Sequence, residues 1–548
     1  MIFRSPKIRN YLKLIIITIF SCCSLPEIAI AQRQLPPREN ASPLLFVQTS
    51  QNLENRDSVT VEQIRVTGYS VVFEKEIKAI VQDYRGKRLS FAQLRNITQA
   101  ITDFYVSRGY ITSGAYLPEQ EIVDGTLNIQ VIEGRLEDIQ IKDLKHLQES
   151  YVRSFISATK IRQPLNINQL EDDLKLLKQD TSVENLNAEL VRGTQPHLSV
   201  LLLEVEETSP LKSGLSFDNY RSPSIGEFQG TVGMEYSNLI GISDRFSAQY
   251  NLTEGFDAYS LSYVLPFNSQ GGSLNLEYRD GDSKIIEEFE DAGIRAEYDT
   301  FSLQYRQPIV YQPEREIALG IGFAKKNSET FILDDEPFSF TTGTEQNRSE
   351  TSVLKLTGDW IERSQNTVFA LNSEINIGLD LFDATVSKNA PDGIFFSWLG
   401  QAQWTRALNR ERNLLLVIRS IAYLTPDSLL PLEQFTLGGA GTVRGYRQNQ
   451  EIGDNAFVGT IEVYVPLIGD RFNEHNLNLI PFFDGGTVWN NDNEEAEALA
   501  SLGIGLDWQF EDWLSVRIDW GVPLINKRDF GDSLQDNGFT FSIRLQPF

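Results

Sequence analysis

The feature that most constrains this chain is a sequence period of two that runs from about residue 208 to the end. Leu274, Leu276 and Tyr278 are apolar or aromatic, while Ser273, Asn275, Glu277 and Arg279 between them are polar. Phe301, Leu303 and Tyr305 against Ser302, Gln304 and Arg306 repeat the pattern, as do Tyr259, Leu261, Tyr263 and Leu265 against Ser260 and Ser262. Successive side chains of a strand point to opposite faces, so each segment has one apolar face and one wet face. A soluble antiparallel sandwich alternates in the same way as a membrane barrel with a polar lumen. Length and an export signal favour the barrel. Residues 208–548 number 341, and sixteen spanning strands of about 10 residues use roughly 160, leaving the rest for turns and loops. The acidic inserts Asp280 to Asp291, Asp334 to Glu350 and Asn490 to Glu497 are expected as long outer loops. The last strand is expected to start at Phe539, with Pro547 breaking its parity before Phe548.

The export signal lies at the other end. Arg4, Lys7, Arg9 and Lys13 precede an apolar run from Leu14 to Leu25, and Ala29-Ile30-Ala31 supplies a small-x-small cleavage site. The run is about a dozen residues, short of the roughly 18 to 20 of a spanning helix, so residues 1–31 are expected to be removed. A lipoprotein signal at Cys22 is the weaker alternative, because bulky Phe20 stands where a smaller residue is expected. Both cysteines of the chain, Cys22 and Cys23, fall inside this signal, which excludes disulfide and thiolate chemistry from the mature protein. Removal of residues 1–31 leaves 45 basic against 74 acidic residues, a net charge of -29. Such a surface repels nucleic acid and anionic lipid headgroups. No later apolar stretch is long enough for a membrane helix, so entry into a membrane requires a closed barrel that satisfies every backbone polar group.

Between these parts, residues 32–57 are polar with Pro36-Pro37, and are expected as a linker with room for one short helix. From Val59 the pattern predicts a strand (Val59 to Val66), a helix (Glu74 to Tyr84), a helix capped by Ser90 and ending at Ser107, and strands at Ile111 to Leu117 and Thr126 to Ile132. The same order recurs from Leu136: strand Leu136 to Ile141, helices Leu147 to Thr159 and Ile167 to Lys178, strands Leu186 to Leu190 and Leu198 to Val205. Two α+β domains, 58–134 and 135–207, are therefore expected before the all-β barrel at 208–548.

The most informative residues are Phe435-Thr-Leu-Gly-Gly-Ala-Gly-Thr-Val-Arg-Gly-Tyr446 and Phe482-Phe-Asp-Gly-Gly486. They resemble the outer-membrane superfamily whose barrels carry a Val-Arg-Gly-Tyr loop motif and a Phe-x-Asp-x-Gly strand motif. Val443, Arg444, Gly445 and Tyr446 match the first, and Phe482, Asp484 and Gly486 the second. The resemblance implies that the loop folds back into the lumen and that its arginine meets the strand's aspartate. Strand geometry agrees, since 482, 484 and 486 share one face: a guanidinium is expected to stack on Phe482, pair with Asp484 and occupy the gap over Gly486.

In the region before the barrel the resemblance narrows to the two-partner secretion transporters, which export haemagglutinin-like or haemolysin-like exoproteins. Arg108, Gly109, Tyr110, Pro118, Gln120, Gly125, Leu127, Glu133 and Gly134 match that family's first POTRA domain. Leu170-Glu171, Leu174, Leu176-Leu177, Asp180, Ala188, Leu190 and Gly193 resemble its second. The family's plug helix is poorly matched by residues 32–57. The implied function is an outer-membrane pore that takes a partner exoprotein from the periplasm and secretes it, with or without activating it. An assembly factor that inserts other barrels, and a passive porin, are the alternatives. The implied partners are the cargo and outer-membrane lipid around a monomer, with no nucleic acid, cofactor or resident metal. No enzymatic activity is expected, because His146, His197 and His475 are scattered, Gly439-x-Gly441 lacks the rest of a phosphate loop, and Asp492 to Glu497 suits a solvated loop.

Overall fold

The computed structural model describes residues 58–546 apart from 71–72, 158–162, 288, 341–346, 388–390, 470–474, 512 and 527–530. The expected signal, the linker and Phe548 lie outside the described residues. The described residues form two units, one running to Thr208 and the other starting at Ser209.

The first unit begins with β1 (Val59–Val61), β2 (Gln63–Thr67), α1 (Glu74–Gln82), β3 (Lys87–Leu89), α2 (Phe91–Ser107), β4 (Gly114–Tyr116) and β5 (Thr126–Ile132). Ser90 starts α2 through a reciprocal capping box with Gln93, whose side chain accepts the Ser90 N–H at 2.8 Å. Leu94, Ile97, Ile101 and Tyr105 then recur at helical spacing and are buried against Leu127, Ile129 and Val131 of β5. The predicted strand at Val59 splits after Val61, where β1 pairs with β3 while β2 runs parallel to β5. The strand at Ile111 is shorter than predicted, with only Gly114–Tyr116 paired.

The second half repeats the plan with β6 (Arg135–Lys142), α3 (Glu149–Ser157), α4 (Ile167–Lys178), β7 (Val183–Arg192) and β8 (Leu198–Glu207). Asn166 caps α4 by accepting the N–H groups of Asn168 and Gln169. The sheet order is β6-β8-β7, matching β2-β5-β4 in the first half, so β4 and β7 are both edge strands.

The second unit is a closed antiparallel barrel of sixteen strands, with a two-residue strand, Glu336–Pro337, added beside Arg315–Ile332. Closure joins the last strand, Phe539–Leu545, to the first, Leu211–Asp218. Closure leaves no edge, as hydrocarbon demands. Leu261, Phe301, Leu303, Ile321 and Leu502 point outward and are exposed. Inward residues pair with one another instead: Arg306 bonds Asp359 at 2.8 Å and Glu316 at 2.7 Å.

Two expected outer loops are reassigned. Asn490 to Glu497 is a tight hairpin between the strands His475–Asn490 and Asn493–Phe510, and Asp280 to Lys284 belongs to the strand Ser273–Lys284. Strands of 16 to 18 residues run past the hydrocarbon thickness, and a ladder continued into water still satisfies the backbone, so polarity does not end it.

Candidate functional site

A long loop and the barrel wall it touches build the site: residues 425–454 leave the strand Leu415–Leu424 and return inside the barrel before the strand Asn455–Ile468 begins. Within this loop Phe435–Leu437 and Glu451–Gly453 pair as a short hairpin, and Val443 is fully buried beside Leu437, Val458, Val488 and Leu499. Gly445 has φ +88°, and a Cβ on it would stand 2.8 Å from the carbonyl oxygen of Gly521. That close approach needs glycine on both sides, since a Cβ on Gly521 would stand 2.7 Å from the Gly445 nitrogen.

The turn aims Arg444 into the wall, where the residue is only 4% exposed. Its Nε donates to Asp484 Oδ2 at 2.7 Å and its Nη2 to Oδ1 at 2.9 Å, a bidentate fork, and its backbone N–H reaches Oδ2 at 3.1 Å. The guanidinium carbon lies 3.5 Å from the centre of the Phe482 ring. Nη1 donates to Glu462 Oε1 at 2.7 Å and to Asp519 Oδ1 at 3.2 Å. Arg517 bonds both of those carboxylates, and Arg419 bonds Glu462 at 2.7 Å. Three buried carboxylates are thus neutralised by the buried Arg444 and by the more exposed Arg517 and Arg419, which is the condition for holding charge out of water.

Tyr446 serves the wall itself. Its hydroxyl lies 2.8 Å from Ala500 O and 2.9 Å from Ile525 O, and accepts the Ile525 and Ala500 N–H groups at 3.2 and 3.3 Å. It bridges the neighbouring strands just beyond the Ser501/Pro523 pair where their register stops. The space over Gly486 is filled by the loop's Leu437, whose Cδ1 would be 2.7 Å from a Cβ there, and not by the guanidinium as expected. Arg444 is drawn the other way along the strand by Phe482 and by Glu462, which is directly across from Phe482 in the ladder.

Of the other sequence-selected residues, Arg108, Gly109 and Gly134 lie at the junction of the two α+β halves, and the rest brace the first half. Arg108 ends α2 with its guanidinium over Phe104 at 4.5 Å and Phe73 at 4.8 Å, and Tyr110 packs edge-on to Tyr105 and Phe73. The carbonyls of Arg108 and Gly109 accept from the Asn166 side chain at 3.0 Å and the Ile167 N–H at 2.8 Å, while Gly134 O accepts the Leu165 N–H at 2.7 Å. Glu133 is buried and accepts from Ser70 N at 2.8 Å, from the Ser70 hydroxyl, and from the Tyr105 hydroxyl at 3.2 Å. Burial, with Glu133 beside it, pushes the Tyr105 phenol well above its ordinary range, so it remains a donor. Gln120 bonds both N–H and C=O of Asn128, taking the place in the ladder next to Pro118, which has no N–H to give. Gly125, at φ +67°, presents its carbonyl to Glu62 and Gln63.

The family model described as haemolysin secretion/activation protein ShlB/FhaC/HecB matches residues 197–508, more than half of the chain. This chain belongs to that haemolysin secretion/activation family. A second model, the ShlB-type POTRA domain, matches residues 59–134. Among curated relatives, the outer membrane transporter CdiB of Dickeya dadantii is 23% identical over 85% of this chain and 83% of its own length. The heme/hemopexin transporter protein HuxB of Haemophilus influenzae is 22% identical over 92% of each. Among solved structures, CdiB from Escherichia coli superposes with a TM-score of 0.72 at 20% identity, covering 92% of this chain and 94% of that one, which establishes the shared fold. As a member of the family the protein is an outer-membrane two-partner secretion transporter with its POTRA region in the periplasm.

Several residues of the cluster escaped sequence reasoning. Glu462, Asp519, Arg517 and Arg419 lie on three separate strands that only the barrel register brings to Arg444. Gly503 is opposite Phe482, and a Cβ on it would stand 2.2 Å from the ring, so its bareness lets the ring lie flat as the floor under the guanidinium. The available signal was a single carboxylate at an inward position of an alternating strand, as in Thr460-Ile-Glu-Val-Tyr464 and Arg517-Ile-Asp-Trp520.

Proposed function

We propose that this transporter threads an extended exoprotein through its barrel lumen and that the Arg444 cluster holds the 425–454 loop inside the lumen as a plug in the resting state. The buried fork between Arg444 and Asp484 carries this reading, since a loop tied to the wall at that depth occupies the path the cargo takes. The POTRA region is the receptor, and an extended segment adds as a strand to the edge of β4 or β7, of which β7 is the longer at ten residues. Residues 1–31 are a removed signal, the working unit is a monomer surrounded by outer-membrane lipid, and the protein is not an enzyme. No nucleotide or cofactor enters the cycle, and folding of the cargo outside supplies the pull. Deleting residues 58–207 is expected to abolish binding of the exoprotein while the barrel still conducts ions in a planar bilayer. Undiminished binding by that variant would overturn the receptor assignment.

A further inference from the structure

Arg444 is not the loop's only charged attachment. Three residues on, Arg447 leaves the wall and reaches the connectors at one mouth of the barrel. Its Nε and Nη2 both bond the Asp536 carboxylate, with Nη2 at 2.6 Å, and its Nη1 donates to Glu287 at 2.9 Å. Asp536 lies in the connector before the last strand, Phe539–Leu545, and Glu287 in the connector after the strand Ser273–Lys284. Those strands are not neighbours in the barrel, because the strands Leu211–Asp218, Gln229–Ser237, Arg245–Leu252 and Phe256–Pro266 stand between them.

Further contacts show that the attachment is built in. Gly531 leaves a bare position where a Cβ would stand 2.5 Å from Arg447 Nη2. The Gln448 N–H donates to Gln535 Oε1 at 2.7 Å, and the Gln535 amide is hydrogen-bonded to Asn219 O at 2.7 Å and Arg221 O at 2.6 Å. The loop's returning limb, Gln535 and Asp536 before the last strand, and the connector 219–228 are thereby joined, with Glu287 held from the far side.

We propose that Arg447 is a second positioning arginine, a tie that closes the barrel mouth by joining the plug loop to two connectors from separate parts of the wall. Arg444 fixes the loop's depth in the lumen, whereas Arg447 closes the opening, and cargo leaves only when the Arg447 pairs part. The bidentate fork to Asp536 makes this a task for arginine, because an ammonium meets one carboxylate oxygen at a time. Glu287 is the weaker partner, half-buried and held through a single nitrogen.

The inference rests on the 425–454 loop being the plug, and single-channel recording of the full-length chain in planar bilayers with potassium chloride separates the two. Arg447→Gln is expected to raise open time by about tenfold, the loss of a charged hydrogen-bonded pair worth roughly 1.4 kcal/mol. Asp536→Asn should do the same, the double variant should add nothing further, and Arg447→Lys should fall between parent and Arg447→Gln. Vancomycin sensitivity of the producing cells should rise in parallel. A chain with cysteines at 447 and 536 should open like Arg447→Gln and return to parental closure when bridged by a bis-maleimide. No other thiol interferes if Cys22 and Cys23 leave with the signal.

Parental open time in both Arg447→Gln and Asp536→Asn, with normal heat-modifiable migration, would overturn the tie. If either variant fails to give a heat-modifiable barrel, the bridged cysteine pair decides, and a bridged chain that still opens would equally overturn it. Opening by Arg444→Ala but not by Arg447→Gln would remove this inference alone. Failure of both to open the pore would remove the plug reading as well.

Discussion

Replacing Arg444 by alanine takes four side-chain hydrogen bonds from three buried carboxylates, but the three do not suffer equally. Glu462 keeps Arg419 at 2.7 Å and Arg517 at 3.0 Å, and Asp519 keeps Arg517 at 2.8 Å. Among the described residues, Asp484 keeps only the backbone N–H of residue 444. A fully buried carboxylate stripped of its partner costs roughly 3 to 5 kcal/mol, and undocking of the loop lets water reach Asp484 and relieve most of that cost. The docked state should therefore lose about 3 kcal/mol, a shift of roughly 150-fold in loop position. Asp484→Ala is milder, because Arg444 retains Glu462 and Asp519; about 1.5 kcal/mol, near tenfold, is expected. The double variant should be no worse than Arg444→Ala alone, since it leaves no orphan charge. Arg444→Lys should rescue only in part, keeping the charge but losing the fork and the flat contact with Phe482. The assay is secreted exoprotein per unit of outer-membrane transporter, with channel recordings in parallel. Open time should rise for both single variants at normal abundance, and secretion per transporter should depart from the parental level. Strictly additive effects, or normal export by Arg444→Ala, would refute the shared unit.

Other outcomes follow from the same contacts. Gly521→Ala should displace the Gly445 turn and reproduce the Arg444→Ala phenotype without touching a charge, read by the same recordings. Glu133→Ala leaves the buried Tyr105 hydroxyl and the Ser70 N–H without their acceptor, so the periplasmic part should lose about 2 to 3 kcal/mol, measured by urea unfolding of a soluble 58–208 fragment. The barrel should migrate faster in detergent gels when unheated, and solubility of residues 208–548 without detergent would argue against membrane insertion.

Much of this architecture was legible because its determinants are local. The Ser90 capping box and the Ile167–Lys178 periodicity lie within single helices, and the inward parity of Phe482 and Asp484 lies within one strand. What resisted reading depends on register between strands far apart in sequence. Glu462, Asp484 and Asp519 become neighbours only through the stagger of four successive strands, and no local pattern encodes that register. Leu437 over Gly486 was missed for the same reason, as the loop's own hairpin decides which of its residues meets the gap. The acidic segment at Asn490 misled because polarity marks contact with water, not the end of a ladder.

The central claim is that the exoprotein passes through the lumen after the loop moves, and site-specific photo-crosslinking during export tests it most directly. Gln304 points inward, donating to Thr357 at 3.2 Å, while the adjacent Leu303 points outward and is exposed. A photoreactive residue at 304 should capture the exoprotein in cells secreting it, and one at 303 should not. Capture at neither position while secretion proceeds, or equal capture at both, would contradict passage through the lumen.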